Sequence, residues 1–154
     1  MQYILSMFRR LFGSEKINKI GFDDILYCIK RPCINFILIN TLPIHEQTFL
    51  IKETVTFDQE ERLINDSLLQ YDMCTIFIYG KNSTDVTIEA KYHQLVNLGY
   101  PRHNLYIYYG GLFEWSLLQE IYGIDHFPTT TISKDILLFK SEPLQKQVFL
   151  SNTR

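Results

Sequence analysis

Residues 74–115 read CTIFIYGKNSTDVTIEAKYHQLVNLGYPRHNLYIYYGGLFEW, and this stretch decides the fold. It begins with a short apolar run, Cys74–Tyr79, of the kind found in parallel strands that are buried on both faces. After a polar loop, Val86–Leu98 alternates apolar and charged residues as an amphipathic helix does. Gly99 stands where helices commonly end in a left-handed residue, and Asn104–Tyr109 is a second apolar strand. The pattern predicts one βαβ unit.

The polar loop of this unit is the candidate site. It joins the carboxyl end of a parallel strand to the amino end of a helix, which is where α/β proteins place ligands and catalytic groups. Its residues are Gly80, Lys81, Asn82, Ser83, Thr84 and Asp85. Ser83 and Thr84 are of the residue types that cap helices, and we expect them to accept the free N–H groups of the helix that follows.

The order of these motifs resembles the rhodanese-like domain. The residues that carry the resemblance are the strand-ending Tyr79, Leu98–Tyr100 after the helix, and the Gly-Gly-x-x-x-Trp motif at Gly110, Gly111 and Trp115. It is closest over residues 74–115. The resemblance implies an α/β domain with a mostly parallel sheet of four or five strands and helices on both faces.

The resemblance also implies sulfur transfer as the ancestral activity, for which this loop lacks the essential groups. Active members place a nucleophilic cysteine after the strand-ending residue, where backbone N–H groups and the helix dipole stabilise its thiolate. That position is Gly80, and phosphatase relatives need the same cysteine. A basic residue often follows five positions later, where this chain has Asp85, whose charge repels an incoming anion. Asn40 replaces the aspartate that ends the neighbouring strand in the family pattern.

Two other functions stay open at this stage. Lys81 is the loop's cation, and loop backbone N–H groups can form an anion-sized nest, so the chain could be a small-anion sensor. It could also be a sulfurtransferase or phosphatase-like enzyme whose nucleophile is a thiol elsewhere, namely Cys28, Cys33 or Cys74. These cysteines have no CxxC spacing and no paired histidines, so we expect neither a metal site nor a cofactor.

Helices are predicted at three further places and strands at two. The helices are Phe22–Lys30, Asp58–Gln70 and one that follows Gly110–Gly111 and continues beyond Trp115 to about Tyr122. Ile34–Ile39 is a strand, and Phe49–Val55 is a short strand or an extended segment. Gly123 is expected to end its helix. Ile132–Phe139 is an apolar segment, predicted to pack on the outside as a strand or a helix.

The amino-terminal segment Met1–Phe12 has an apolar stripe beside Arg9 and Arg10. It predicts an amphipathic helix that lies on the domain or on a neighbouring subunit. We divide the chain into this helix and a linker at 1–19, a rhodanese-like domain at 20–131 and a carboxyl-terminal extension at 132–154.

Composition narrows the function further. A net charge of −2 gives no basic surface for nucleic acid, and no apolar run approaches the roughly 20 residues of a membrane span. Three cysteines without an even framework favour an intracellular, cytoplasmic compartment. The sequence therefore predicts a non-catalytic rhodanese-like binding or scaffold protein. Its expected partner is another protein or a second copy bound through the terminal helix.

Overall fold

A computed structural model describes residues 16–70, 74–132 and 135–143. The predicted helix at Met1–Phe12 and residues 144–154 lie outside these ranges. Four helices and three strands follow one another as the sequence predicts, with ends shifted by one or two residues. They are α1 Phe22–Ile29, β1 Phe36–Asn40, α2 Phe57–Leu69, β2 Thr75–Tyr79, α3 Thr87–Asn97, β3 Leu105–Tyr108 and α4 Gly111–Tyr122. Gly99 and Gly123 end their helices with φ of 98° and 93°, which confirms both stop signals.

The described residues also contain three short 3₁₀ turns, at Ile44–Glu46, Arg102–Asn104 and Ile136–Phe139. Within the predicted apolar segment Ile132–Phe139, the part Ile136–Phe139 forms a 3₁₀ turn in place of a strand or an α-helix. Among the described residues, no helix has the length and apolar character that crossing a bilayer requires.

The sheet is parallel throughout, with the order β1-β2-β3. Four or five strands were predicted, and this is wrong for the described residues, because the segments beside the outer strands make single bridges only. Lys19 bridges Ile107 at one edge, and α1 begins too soon after it for a strand to form. Thr54 bridges Leu38 at the other edge, after a turn in which Glu53 adopts φ of 68°. Of the strand or extended segment predicted over Phe49–Val55, only single bridges at Ile51 and Thr54 are formed, and the turn at Glu53 separates them.

Alternating side chains of the strands fill two separate cores, as the pleat requires. One core contains Leu38, Phe77, Tyr79 and Tyr108 with residues of α1 and α4, including the fully buried Trp115. The other contains Ile37, Ile39, Ile76, Ile78 and Ile107 with Ile64 of α2 and with Ile88 and Leu95 of α3. Helices therefore cover both faces of the sheet, which confirms the predicted layers and leaves the β2–α3 loop at the carboxyl edge.

Candidate functional site

The loop at residues 80–85 lies at the carboxyl end of the central strand. Thr41, which follows β1, and the Gly110–Gly111 pair, which follows β3, flank it. The Thr41 N–H donates to the Tyr79 carbonyl oxygen (3.0 Å), and the Thr41 hydroxyl also donates to that oxygen (3.4 Å). The loop lies at the carboxyl edge of the sheet, as the βαβ pattern predicts, because parallel pairing brings all three strand ends to one edge.

The carboxylate of Asp85 accepts a backbone N–H group from each side of its own position in the chain. The Lys81 N–H donates to Oδ2 of Asp85 (2.9 Å), and the Thr87 N–H donates to Oδ1 (3.0 Å). The Thr87 hydroxyl donates to the same Oδ1 at 2.6 Å. We call these two backbone N–H groups, of Lys81 and Thr87, the loop cradle. Its occupant is a negative charge supplied by the chain itself, at the amino end of α3 where the helix dipole favours it.

Gly80 has no room for a side chain in this arrangement. A Cβ atom at Gly80 would lie 2.5 Å from Asp85 Oδ2, 2.8 Å from Ile88 Cγ1 and 2.9 Å from Thr41 Oγ1. All three separations are shorter than van der Waals contact, so a cysteine at this position would require its neighbours to move. Its φ lies outside the left-handed region, so space and not backbone conformation excludes a side chain.

Asn82 connects the loop by a hydrogen bond to the 3₁₀ turn at Ile136–Phe139. The side chain is buried, and its amide donates to the Phe139 carbonyl oxygen at 2.8 Å. Its Oδ1 accepts from both the N–H (3.0 Å) and the hydroxyl (2.8 Å) of Thr84. The expectation that Ser83 and Thr84 cap α3 is therefore wrong, since Thr84 bonds within the loop and Asp85 bonds the first turn of the helix.

Lys81 directs its ammonium group away from the loop cradle. Lys81 Nζ lies 2.5 Å from Oε2 of Glu46, in the turn between β1 and α2. His45 and Glu46 line, with Lys81, a cavity of about 530 Å³ next to the loop. No signal in the sequence singles out His45 or Glu46, because only the pairing of β1 with β2 brings their turn to the loop. The cation that an anion sensor would use is already paired.

The two glycines after β3 let α4 begin against this loop. The N–H groups of Leu112 and Phe113 donate to the carbonyl oxygens of Gly80 (3.0 Å) and Lys81 (2.8 Å). Gly111 has φ of 63°, and a Cβ there would lie 2.5 Å from the Gly80 carbonyl oxygen. Gly111 is thus explained by a close approach between two backbones, whereas a Cβ at Gly110 would meet the side chains of Glu114 and Tyr108.

None of the three cysteines lies at the loop. Cys74 is buried before the amino end of β2, with Sγ 3.0 Å from the Ser67 hydroxyl oxygen. Cys28 is also buried, and burial together with nearby Asp24 raises the pKa of its thiol, so its thiolate is disfavoured. Cys33 is exposed. Across the described ranges, no group of three His, Cys, Asp or Glu side chains is placed to hold a metal ion.

Two neighbouring tyrosines behind the loop differ in how their hydroxyls are bonded. The Tyr79 hydroxyl accepts from the Ile51 N–H (3.2 Å) and lies 2.7 Å from Thr54 Oγ1, and burial raises its pKa. The Tyr108 hydroxyl is buried without a hydrogen-bond partner within the described residues. Burial, and after it the nearby carboxylate of Glu114, raise the pKa of Tyr108.

Asn40, at the position that an aspartate holds in the family pattern, is also bonded locally. It is buried at the end of β1, and its Oδ1 accepts from the Leu42 N–H at 3.1 Å. It therefore shapes the β1 turn and directs no charge at the loop.

Comparison with known proteins finds similarity in structure but not in sequence. No family model matches the sequence, and no curated protein matches it. A crystal structure of a Bacillus halodurans protein has a TM-score of 0.58 at 10% identity, covering 96% of this chain and 97% of that one. A Lactobacillus plantarum protein has a TM-score of 0.54 at 14% identity, covering 86% and 100%. An As-Sb reductase from Leishmania major has a TM-score of 0.52 at 15% identity, covering 70% and 80%.

These similarities concern the fold. The chain has an α/β fold consistent with a rhodanese-like domain, with the layers and loop placement described above. The reductase activity for which the Leishmania major protein is named belongs to that protein.

Proposed function

We propose that this chain is a non-catalytic rhodanese-like binding or scaffold protein. The observation that supports this most directly is the Asp85 carboxylate, which accepts both N–H groups of the loop cradle. In sulfur transfer, these donors would stabilise an anionic persulfide or the incoming anion. Here they stabilise a carboxylate, and Gly80 offers no nucleophile.

The same geometry argues against a small-anion sensor. An anion entering the loop would have to displace Asp85 and would meet its negative charge at close range, where repulsion is strong in a partly buried site. Lys81, the cation that would offset this repulsion, is paired with Glu46. The enzyme alternative is also disfavoured, because the buried thiols of Cys28 and Cys74 lie away from the loop.

The face beside the loop has the properties of a protein contact. Lys81 and Glu46 cancel each other's charge, so the surface around the cavity is nearly neutral. Four aliphatic side chains on this side are largely exposed, at 62–78% of their full surface: Ile44, Ile132, Leu137 and Leu138. Such a surface suits a partner with an apolar, uncharged contact patch, since exposed apolar groups gain most from being covered. An intracellular location belongs to the same proposal.

The proposal is tested by measuring sulfur transfer from thiosulfate to cyanide. We expect the natural chain to be inactive, and treatment with thiosulfate to leave no persulfide on Cys28, Cys33 or Cys74. Mass spectrometry of the treated protein measures the second point. Activity, or a persulfide on any of these thiols, would contradict the proposal.

A matched variant distinguishes loss of chemistry from loss of geometry. Gly80→Cys/Asp85→Arg supplies the nucleophile and the basic residue. We expect it to stay far below an active enzyme, because Ile88 and Thr41 still crowd the new Cβ atom. High activity in this variant would show that the loop tolerates a cysteine, which would contradict the crowding argument and not the inactivity of the natural chain.

A further inference from the structure

A groove of about 470 Å³ lies between α2 and α3, on the opposite face of the sheet from α4. The buried Ile64 and Leu95 form its apolar floor. Phe57 and Leu98 also line it, and they remain 59% and 57% exposed. Covering these two large apolar side chains with an apolar occupant is favourable, because it removes their exposed surface from contact with water.

Acidic side chains edge this groove. Asp58 and Glu61 of α2 line it, and both are exposed without an ion pair among the described residues. Glu60 and Lys91 also line it, and they pair with each other across the two helices. Arg62 lines a neighbouring hollow with Asp58 and Glu61 instead of the groove itself. The groove therefore has an excess of negative charge and favours a basic occupant.

The sequence contains a segment with the complementary composition. Residues 1–12 include five apolar residues at helical spacing, namely Ile4, Leu5, Phe8, Leu11 and Phe12. They also include Arg9 and Arg10, and no acidic residue precedes Glu15. An apolar stripe with adjacent guanidinium groups matches an apolar groove with adjacent carboxylates.

The segment is attached where it can reach the groove. The described chain begins at Lys16, and Ile17 packs against the core on the α2–α3 side of the sheet. Residues 13–16 span up to about 14 Å when extended. The helix to be crossed is on the order of 10 Å wide. An extended tether of four residues is therefore longer than one helix is wide, which is the scale needed for docking within one molecule.

We propose that residues 1–12 dock in the α2–α3 groove of their own chain. Their apolar stripe covers Phe57 and Leu98, and Arg9 and Arg10 lie beside Asp58 and Glu61. This inference does not depend on the proposed function, since it concerns the opposite side of the sheet from the Trp115 core.

The test attaches a spin label to Ser6→Cys in full-length ¹⁵N-labelled protein that also carries Cys33→Ser. This second change removes the one exposed thiol among the described cysteines. A docked segment brings the label near the groove, so we expect the amide signals of Gln94 and Leu98 to lose most of their intensity. Full intensity at both amides would overturn the proposal.

Charge reversal tests the recognition itself. Asp58→Lys/Glu61→Lys is expected to restore both amide signals, and adding Arg9→Glu/Arg10→Glu to it is expected to broaden them again. The matched control Glu120→Lys/Asp125→Lys changes the net charge equally on the other side of the sheet and should leave the broadening unchanged. Restored signals in this control, or no recovery in the fourfold variant, would contradict a specific pairing.

Mixing experiments identify the molecule that supplies the segment. Spin-labelled protein without ¹⁵N is mixed with ¹⁵N-labelled protein that carries no spin label. We expect no broadening in the mixture, because docking occurs within one chain. Broadening between chains would assign the groove to a second copy and would overturn the proposal as stated.

Discussion

Two neighbouring turns at the carboxyl edge of the sheet contain glycine for different physical reasons. At Gly80, the space that a side chain would need is taken mainly by other side chains, those of Asp85, Ile88 and Thr41. At Gly111, the same space is taken by backbone atoms of residues 80–82, and φ is 63°. Side chains can rotate or be replaced, whereas backbone cannot retreat without moving the strand. The crowding at Gly80 therefore depends on the side chains around it, whereas glycine at position 111 is a requirement of the fold.

The contact between α4 and the loop does not involve a side chain at position 80. Helix α4 is bonded to the loop through the N–H groups of Leu112 and Phe113, and these bonds use only the backbone of Gly80 and Lys81. They are therefore independent of which side chain occupies position 80. Asp85 accepts the N–H groups of Lys81 and Thr87 beside them.

The largest effect is expected from Gly111→Ala. The new Cβ meets the Gly80 carbonyl oxygen, and a positive φ disfavours alanine, so we expect the free energy of unfolding to fall by roughly 3 to 4 kcal/mol. Chemical denaturation measures this change. Gly99→Ala is the matched control, because Gly99 has φ of 98° with nothing within 4 Å of the new Cβ. It should cost only about 1 kcal/mol. Equal losses in the two variants would contradict the close approach.

Gly80→Ala is expected to lower the free energy of unfolding by less, about 2 kcal/mol, because side chains adjust more readily than backbone. Removing the side chain of Asp85 should relieve part of this crowding. A double-mutant cycle compares Gly80→Ala, Asp85→Ala and the double variant. We expect the double variant to lose less free energy of unfolding than the sum of the losses in the two single variants. Strict additivity would indicate that Asp85 does not occupy the space beside Gly80.

Tyr79 in β2 and Tyr108 in β3 both have buried hydroxyl groups, but only the hydroxyl of Tyr79 is hydrogen-bonded among the described residues. Tyr79→Phe removes the acceptor of the Ile51 N–H, so we expect a loss of about 1 kcal/mol. Tyr108→Phe removes a buried hydroxyl that has no partner among the described residues, so we expect no loss and a gain of up to about 1 kcal/mol. Thermal or denaturant unfolding of the two variants compares them directly. A loss for Tyr108→Phe equal to that for Tyr79→Phe would show that its hydroxyl has a partner.

Local patterns in the sequence were sufficient to predict the elements that depend on neighbouring residues. The apolar runs at β1, β2 and β3 and the glycines at 99 and 123 specify strands and helix ends within a few positions. The sheet has fewer strands than predicted, because the turn at Glu53 and the early start of α1 shorten the outer segments to single bridges. Apolar composition alone does not reveal where such pairing stops.

The site was predicted in position but not in its bonding. The order strand, loop, helix places residues 80–85 at the sheet edge, and the lack of a nucleophile is visible in Gly80 itself. The pairing of Lys81 with Glu46 and of Asn82 with the Phe139 carbonyl joins residues far apart in the chain. Asp85 was expected to repel an anion from the loop. Its role as the occupant of the loop cradle depends on rotamer and loop conformation, which spacing does not specify.

The most direct measurement is an NMR titration of the Lys81 and Thr87 amides with sulfate, in the natural chain and in Asp85→Ala, against sodium chloride at equal ionic strength. If Asp85 occupies the loop cradle, the natural chain will show no saturable shift of either amide, and Asp85→Ala, with both N–H groups released, will show one. Asp85→Asn should behave like the natural chain, since its side-chain oxygen still accepts a hydrogen bond. A saturable shift in the natural chain, or none in Asp85→Ala, would contradict the account.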